Sequence, residues 1–208
     1  MKIFPMALGP VQANCYIVSK DDKALIIDPG DEAAKIIHYL STQNLTPTAI
    51  LLTHGHFDHI AAVDAVAQKY ELPVYAHPLE KEYFFNPAFN FSSRHRDDLV
   101  LSETLDYHWL ECGDTLELIG LKFKILHVPG HSLGSICFYE QAQKTVFTGD
   151  ALFKGSVGRT DFLNGNMPQL LAKISEKLLP LPEDTIVYPG HGPATTIKNE
   201  KAMNPFFR

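Results

Sequence analysis

The sequence predicts an α/β fold in which two packed sheets carry helices on their outer sides. Three observations predict it. Strand-length apolar runs alternate with stretches of helical period. The two halves loosely resemble each other, each with strands, a helix and a histidine at a strand end. No linker or low-complexity stretch divides the 208 residues, so one domain over 1–208 is expected. Apolar residues make up 45% of the chain and charged residues 20%, enough for a sizeable core and incompatible with a wholly disordered chain.

The elements follow in order. Residues 13–19 and 23–28 are β-branched and apolar runs, and Lys20, Asp21 and Asp22 between them make a hairpin turn. Pro29-Gly30 stops the second strand. Over 32–43, Ala33, Ile36, Ile37 and Leu40 share a helix face. The segment 48–53 is a short buried strand that runs into His54-Gly55-His56-Phe57-Asp58-His59. A second amphipathic helix is expected over 58–70 and a strand over 73–76. From 78 to 110 the aromatics Tyr83, Phe84, Phe85, Phe89 and Phe91 mix with Arg94, Arg96, Asp97 and Asp98 without a period. That stretch reads as an excursion over the surface, either an ordinary covering loop or a cap over a site. Strands return at 115–119, 121–128, 134–140 and 144–149, then a helix at 167–179 and a strand at 185–188.

Composition narrows the function. The net charge of −6 argues against a general polyanion binder, because phosphate backbones are held by clustered Lys and Arg. Ten histidines stand against three cysteines, Cys15, Cys112 and Cys137, with no C-x-x-C pair. A disulfide framework or a thiolate zinc site is therefore not expected, and free thiols fit a reducing compartment. The apolar start of the chain is broken by Pro5, Gly9 and Pro10 before a signal core can form. No apolar run reaches the ~18 residues of a membrane helix. A soluble cytoplasmic protein is expected.

The chemistry lies in His54, His56, Asp58 and His59. The strand should end at Thr53, and Gly55 allows a sharp turn. His54 and His56 then point the same way from extended chain, and Asp58 and His59 open the next helix. Imidazole nitrogen and carboxylate oxygen suit zinc, iron or manganese. Three further polar residues mark strand ends beside glycine: His131 in Pro129-Gly130-His131, Asp150 in Thr148-Gly149-Asp150, and His191 in Pro189-Gly190-His191-Gly192. Each alone would pass as a turn residue. With the first four they make seven candidate ligands.

This pattern resembles the metallo-β-lactamase superfamily over nearly the whole chain. The resemblance implies a four-layer αβ/βα sandwich with metals at its edge. It implies that His54, His56 and His131 hold one divalent ion, that Asp58, His59 and His191 hold a second, and that Asp150 bridges them. Zinc is the first expectation, iron or manganese the others. Two divalent ions bring about +4 and Asp58, Asp150 and a bridging hydroxide remove three, so the site keeps about +1 and favours anionic or polarised carbonyl substrates. Metal-bound water with a pKa near ~7 supplies the nucleophile, and hydrolysis without a covalent enzyme intermediate is expected.

The loop after Asp150, Phe153-Lys154-Gly155-Ser156-Val157-Gly158-Arg159-Thr160-Asp161-Phe162, resembles that of glyoxalase II-type and persulfide dioxygenase-type members. With Gly190-His191-Gly192-Pro193 and the ending Met203-Asn204-Pro205-Phe206 it is most similar to the short bacterial glyoxalase II-like, or hydroxyacylglutathione hydrolase-like, subgroup. The resemblance implies a thioesterase acting on S-2-hydroxyacylglutathione or a related thiol ester, with Asp58 and Asp150 catalytic and Arg159 and Lys154 binding substrate. Arg159 paired with Asp161, merely fixing the loop, is the other reading. Longer glyoxalase II proteins carry a C-terminal helical domain that supplies much of the glutathione site. This chain ends at Arg208, so the thiol would be gripped by Arg159, Lys154, the 78–110 stretch or a neighbouring subunit. A small-molecule thioester is the expected partner, with no nucleic acid and no membrane. The alternatives are a persulfide dioxygenase with one iron held by two His and one Asp, and a metal-binding protein without catalysis.

The other histidines are read as ordinary. His38 should face solvent from its helix, His127 should pack near the site rather than ligate, and His77 belongs to a packed turn or to the rim. His95 and His108 fall in the 78–110 stretch.

Overall fold

The computed structural model describes residues 1–95 and 98–208; Arg96 and Asp97, counted among the charges of the 78–110 stretch, lie outside the described residues. The chain opens with β1 (Lys2–Leu8), β2 (Ala13–Lys20), β3 (Lys23–Ile27), α1 (Ala33–Thr42) and β4 (Thr46–Leu51). Then come α2 (Phe57–Ile60), α3 (Val63–Tyr70) and β5 (Val74–Ala76). A 3-10 turn at Pro78–Glu80 leads into α4 (Lys81–Phe85), α5 (Ser92–His95) and β6 (Tyr107–Trp109). The second half holds β7 (Thr115–Leu118), β8 (Leu121–His127), β9 (Ile136–Glu140), β10 (Thr145–Gly149), the small hairpin β11 (Leu152–Phe153) and β12 (Ser156–Val157), α6 (Met167–Lys177), β13 (Ile186–Pro189), β14 (Thr195–Thr196) and α7 (Ile197–Met203).

Two six-stranded sheets result, ordered β1-β2-β3-β4-β5-β6 and β14-β13-β10-β9-β8-β7. The period of two along each strand sorts side chains into three apolar layers. Tyr16, Val18, Leu25, Ile27, Ala49 and Leu51 of the first sheet meet Leu116, Phe123, Ile125, Ile136, Phe138 and Phe147 of the second. The alternate residues Ile17, Ala24, Ile26 and Ile50 face Ile36 and Leu40 of α1 and Val63, Val66 and Ala67 of α3. On the far side Cys137, Tyr139, Val146 and Val187 meet Leu170 and Ile174 of α6. Both faces of the central strands are covered, which is why they read as unbroken apolar runs. This is the four-layer α/β sandwich that the sequence predicts.

Three details depart from the sequence reading. The apolar N-terminus forms β1, an edge strand paired antiparallel with β2, where Pro5 is tolerated because an edge position needs no ladder donor. The helix expected over 58–70 is two helices. Ala62 N–H turns away from the helix to Pro29 O at 3.0 Å, because the Pro29-Gly30 loop packs directly on α2. A Cβ on Gly30 would lie 1.6 Å from the Asp58 carbonyl oxygen, so only glycine admits that approach. The 78–110 stretch is packed rather than draped over the surface: Glu80, Tyr83, Phe84, Asn90 and Ser92 are buried, and β6 extends the first sheet beside β5.

Among the described residues no helix is long and apolar enough to cross a membrane. Cys15 and Cys137 are buried free thiols and Cys112 is exposed.

Candidate metal centre

All seven predicted ligands gather at one end of the sandwich, on loops leaving strand ends. His54, His56, Asp58 and His59 follow β4, with His56 extended at the N-cap of α2. His131 lies between β8 and β9, Asp150 follows β10, and His191 follows β13. The loop of His191 is tied to the first sheet: Ala13 bridges His191, Asn14 Nδ2 donates to Pro189 O at 3.0 Å and Gly192 O at 2.8 Å, and Tyr16 Oη donates to Pro189 O at 2.6 Å.

Two metal-competent groups form, His54/His56/His131 and Asp58/His59/His191. In the first, His56 Nδ1 stands 2.9 Å from His131 Nε2. In the second, His191 Nε2 is 3.2 Å from Asp58 Oδ2. Asp150 lies between them, with Oδ1 3.4 Å from His59 Nε2 and Oδ2 3.5 Å from His131 Nε2 and 3.6 Å from His191 Nε2.

The ring orientations are fixed from behind. His59 Nδ1 lies 3.0 Å from Asp28 Oδ2 and His131 Nδ1 lies 2.8 Å from Arg159 O, so both rings present Nε2 to the centre. Asp28 also accepts from Thr53 N at 2.8 Å and Thr53 Oγ1 at 2.6 Å. It stands near enough to His54 and His59 to form a third metal-competent group, but its oxygens are already taken by these bonds. A carboxylate behind a histidine sets the tautomer of a ligand and raises its basicity.

Three atoms at the centre, His54 Nε2, His59 Nε2 and Asp150 Oδ1, are buried without a hydrogen-bond partner; His56 Nε2 is also unpartnered, but it lies on the ring edge turned away from His131, which His56 meets through Nδ1. Orphaned polar atoms of this kind are costly unless something else satisfies them. A nitrogen and oxygen donor set converging on one space fits divalent metal ions.

The electrostatics differ between the two groups. Burial pushes the His54 and His56 imidazoles well below their ordinary pKa, and neighbouring histidines add to it. Burial also lowers His131, against the pull of Asp150. These rings are neutral, as ligation requires. Burial opposes charge on His59 as well, but Asp58 and Asp150 outweigh it and hold its pKa well above the ordinary value. Burial would raise Asp150, yet the adjacent His59 keeps it well below the carboxylate range.

The centre opens into a cavity of about 600 Å³ whose wall includes Phe91, Arg94, Phe153, Arg159 and Phe162. The Phe91 and Phe162 rings pack 4.9 Å apart. Arg159 forks onto Asp161 (Nε–Oδ1 2.8 Å, Nη2–Oδ2 3.0 Å) and covers Phe162. Lys154 sits at the turn between β11 and β12, outside the cavity wall. The 78–110 stretch contributes Phe91 and Arg94 to the cavity.

His38, His77, His108 and His127 lie outside the metal-competent groups. His77 is buried and stacks on His127 at 4.3 Å, and His127 Nε2 bonds Leu133 O at 2.9 Å. His108 stacks on Tyr75 and His38 is exposed. Sequence reasoning missed Asp28, Asn14 and the Arg159 carbonyl. Asp28 carried nearly the same signal as Asp150, an acid where an apolar strand ends, here followed by Pro29-Gly30. The other two carried none.

A family model for the metallo-β-lactamase superfamily matches residues 8–191. The chain belongs to the metallo-β-lactamase superfamily. It is 45% identical to the probable metallo-hydrolase YqgX of Bacillus subtilis, over 99% of this chain and 97% of that one. It is 39% identical to hydroxyacylglutathione hydrolase GloC of Haemophilus influenzae, over 99% of this chain and 98% of that one. Among solved structures it resembles the BLEG-1 B3 metallo-β-lactamase (TM-score 0.95, 45% identity, 99% of each chain). It also resembles TTHA1623 in a di-iron-bound form (TM-score 0.85, 43% identity, 98% of this chain and 99% of that one). These relatives and the His/Asp cluster support a metal-dependent hydrolase.

Proposed function

We propose that this metallo-hydrolase cleaves thioesters of small anionic thiols, S-2-hydroxyacylglutathione or a related ester, with two divalent ions. His54, His56 and His131 would hold one ion and Asp58, His59 and His191 the other, with Asp150 placed between the two groups. The observation that carries the two-ion reading is the set of orphaned buried atoms on both sides of Asp150. Bound there, two divalent ions would supply a water-derived nucleophile at neutral pH and polarise the acyl carbonyl. Zinc is the reading for the metal, and the di-iron neighbour makes iron the alternative.

The protein's own residues do the rest. Asp28 and the Arg159 carbonyl hold His59 and His131 in register. The Phe91–Phe162 wall takes the apolar part of the ester beside His56, to which both rings lie close, at 5.0 and 5.3 Å. Arg159 and Arg94, each over one of those rings, face an anionic thiol handle. A thiolate, with a conjugate pKa of about 8.5, leaves without a proton donor. An amine from a β-lactam leaves far less readily. The name of the GloC relative supports the thioester reading, and the BLEG-1 likeness makes β-lactams the competing substrate to test.

The test is elemental analysis joined to assays on one sample. About two ions per chain and hydrolysis of S-D-lactoylglutathione are expected, with hydrolysis abolished and metal retention weakened in Asp150→Ala. A fully loaded enzyme that hydrolyses only β-lactams, lactones or phosphodiesters refutes the thioester reading. One iron per chain with oxygen uptake on glutathione persulfide replaces it with a dioxygenase.

A further inference from the structure

Glu80 is completely buried at the end of the 3-10 turn before α4. No ion pair joins it to a cation among the described residues. Three donors converge on its carboxylate instead. Gly55 N–H reaches Oε2 at 2.6 Å. Ser132 Oγ–H and Gly134 N–H reach Oε1 at 2.6 and 2.7 Å. Ser132 Oγ is itself 2.6 Å from Ser135 Oγ. Burying an acid in this way is costly, and desolvation pushes its pKa up to about 7 against the pull of these three bonds.

The chain makes room for it. A Cβ on Gly134 would lie 2.9 Å from Glu80 Cγ and Oε1. A Cβ on Gly55 would lie 2.6 Å from Tyr83 Cβ and 3.1 Å from Glu80 Oε2. Gly55 is not in the left-handed region, so its value lies in close approach rather than in the sharp turn that the sequence implies.

Gly55 separates His54 from His56, and Ser132 follows His131. These loops leave different sheets, β4 in the first and β8 in the second, so neither ladder fixes their spacing. One backbone bond, Ile136 N–H to Thr53 O at 2.9 Å, ties them at the strand ends. The Glu80 carboxylate ties them beside the imidazoles.

We propose that Glu80 is the positioning residue of the His54/His56/His131 group: its carboxylate clamps the two ligand loops together and thereby sets how tightly those three histidines hold an ion. The proposal rests on the ligand assignment given above, but not on which ester is cleaved. The carboxylate form matters because all three partners donate. With a glutamine whose oxygen serves Ser132 and Gly134, the amide NH₂ opposes Gly55 N–H.

The test is cobalt(II) titration of the apo-protein, followed by visible absorption and calorimetry, with far-UV circular dichroism of the metal-free forms. His54→Ala identifies the absorption band of its own group. Glu80→Gln should weaken that ion by roughly 10–100-fold, the usual effect of losing an outer partner. The ion at Asp58/His59/His191 should keep its affinity within about threefold. Ser132→Ala should lose about threefold on the same ion, and Glu82→Gln, an exposed acid on the same segment, should lose nothing. Wild-type affinities in a folded Glu80→Gln protein overturn the proposal. So does an equal loss at both ions together with a lowered melting temperature, which marks a general structural role. If Glu80→Gln does not fold, Ser132→Ala decides alone, and unchanged affinity there overturns the proposal. If His54→Ala removes no ion from the wild-type pattern, the ligand assignment itself has failed.

Discussion

Replacing Asp28 by asparagine should impair the second ion and leave the first largely intact. Asp28 is 2% exposed and takes three donors, Thr53 N, Thr53 Oγ1 and His59 Nδ1. The carboxylate keeps a proton on His59 Nδ1 and leaves Nε2 to face Asp58 and Asp150. Asparagine can be placed in two ways. With its NH₂ at the Oδ2 position it donates to His59 Nδ1, and the ring proton moves to Nε2, where ligation needs a lone pair. With its NH₂ at the Oδ1 position it opposes Thr53 N–H and leaves a buried donor unpaired, at about 1–3 kcal/mol. The first placement costs roughly 10–100-fold in metal affinity, or about 1.4–2.7 kcal/mol. The assay is elemental analysis after dialysis against a graded chelator, with thermal unfolding of the metal-free chain alongside. One ion should be lost at chelator concentrations where the wild type keeps two. A variant that keeps both ions at unchanged affinity, with unchanged thermal stability, refutes the argument that Asp28 sets the tautomer of His59.

Three further outcomes are expected. Gly30→Ala should destabilise the chain by about 2–4 kcal/mol in urea unfolding, because its Cβ would overlap the Asp58 carbonyl. His77 has its pKa pushed down to about 4 by burial and by the neighbouring His127. The stability it confers is therefore full above about pH 6.5 and lost as pH falls toward 4, and His77→Asn should flatten that acid limb by roughly 1.7 kcal/mol, half of the full linkage value because its partner His127 is partly exposed to solvent. Asp161→Asn, which frees the exposed Arg159 guanidinium, should lower KM for an anionic thioester by about two- to fivefold and leave a neutral one unchanged. An unchanged KM on both esters makes Arg159 a loop residue.

The sandwich and the seven candidate ligands were legible in the sequence for one reason: both are local signals. An apolar run covered on both faces shows itself as a run, and His54, His56, His131, Asp150 and His191, each beside a glycine, show where a strand leaves the core, with Asp58 and His59 just behind the first two. The edge strand β1 was not legible, because four of its seven residues, Lys2, Phe4, Pro5 and Ala7, are exposed and no alternation marks it. The break between α2 and α3 was not legible either. Ala61 and Ala62 are good helix formers, and the break comes from the Pro29-Gly30 loop, remote in sequence, that packs on Asp58.

Distance along the chain also explains why the supports of the site stayed hidden while its candidate ligands did not. Asp28 reaches His59 across 31 residues, Glu80 reaches Gly55 across 25 and Ser132 across 52, and Asn14 reaches Pro189 across 175. The contact of Glu80 with Ser132 and that of Asn14 with Pro189 join segments of different sheets. None has a spacing that a local pattern could reveal. Their energetics follow from the same fact. The centre sits on the seam between the sheets, where isolated backbone bonds such as Asn14 N–H to Gly190 O and Ile136 N–H to Thr53 O stand in place of a continuous ladder, so its geometry leans on buried side-chain clamps. A clamp loses little fold stability when it is replaced by a neutral isostere, yet it moves one ligand loop against the other. Damage to the clamps should therefore appear in metal affinity before it appears in melting temperature, whereas damage to the Phe123–Phe138 core between the sheets should appear in the opposite order.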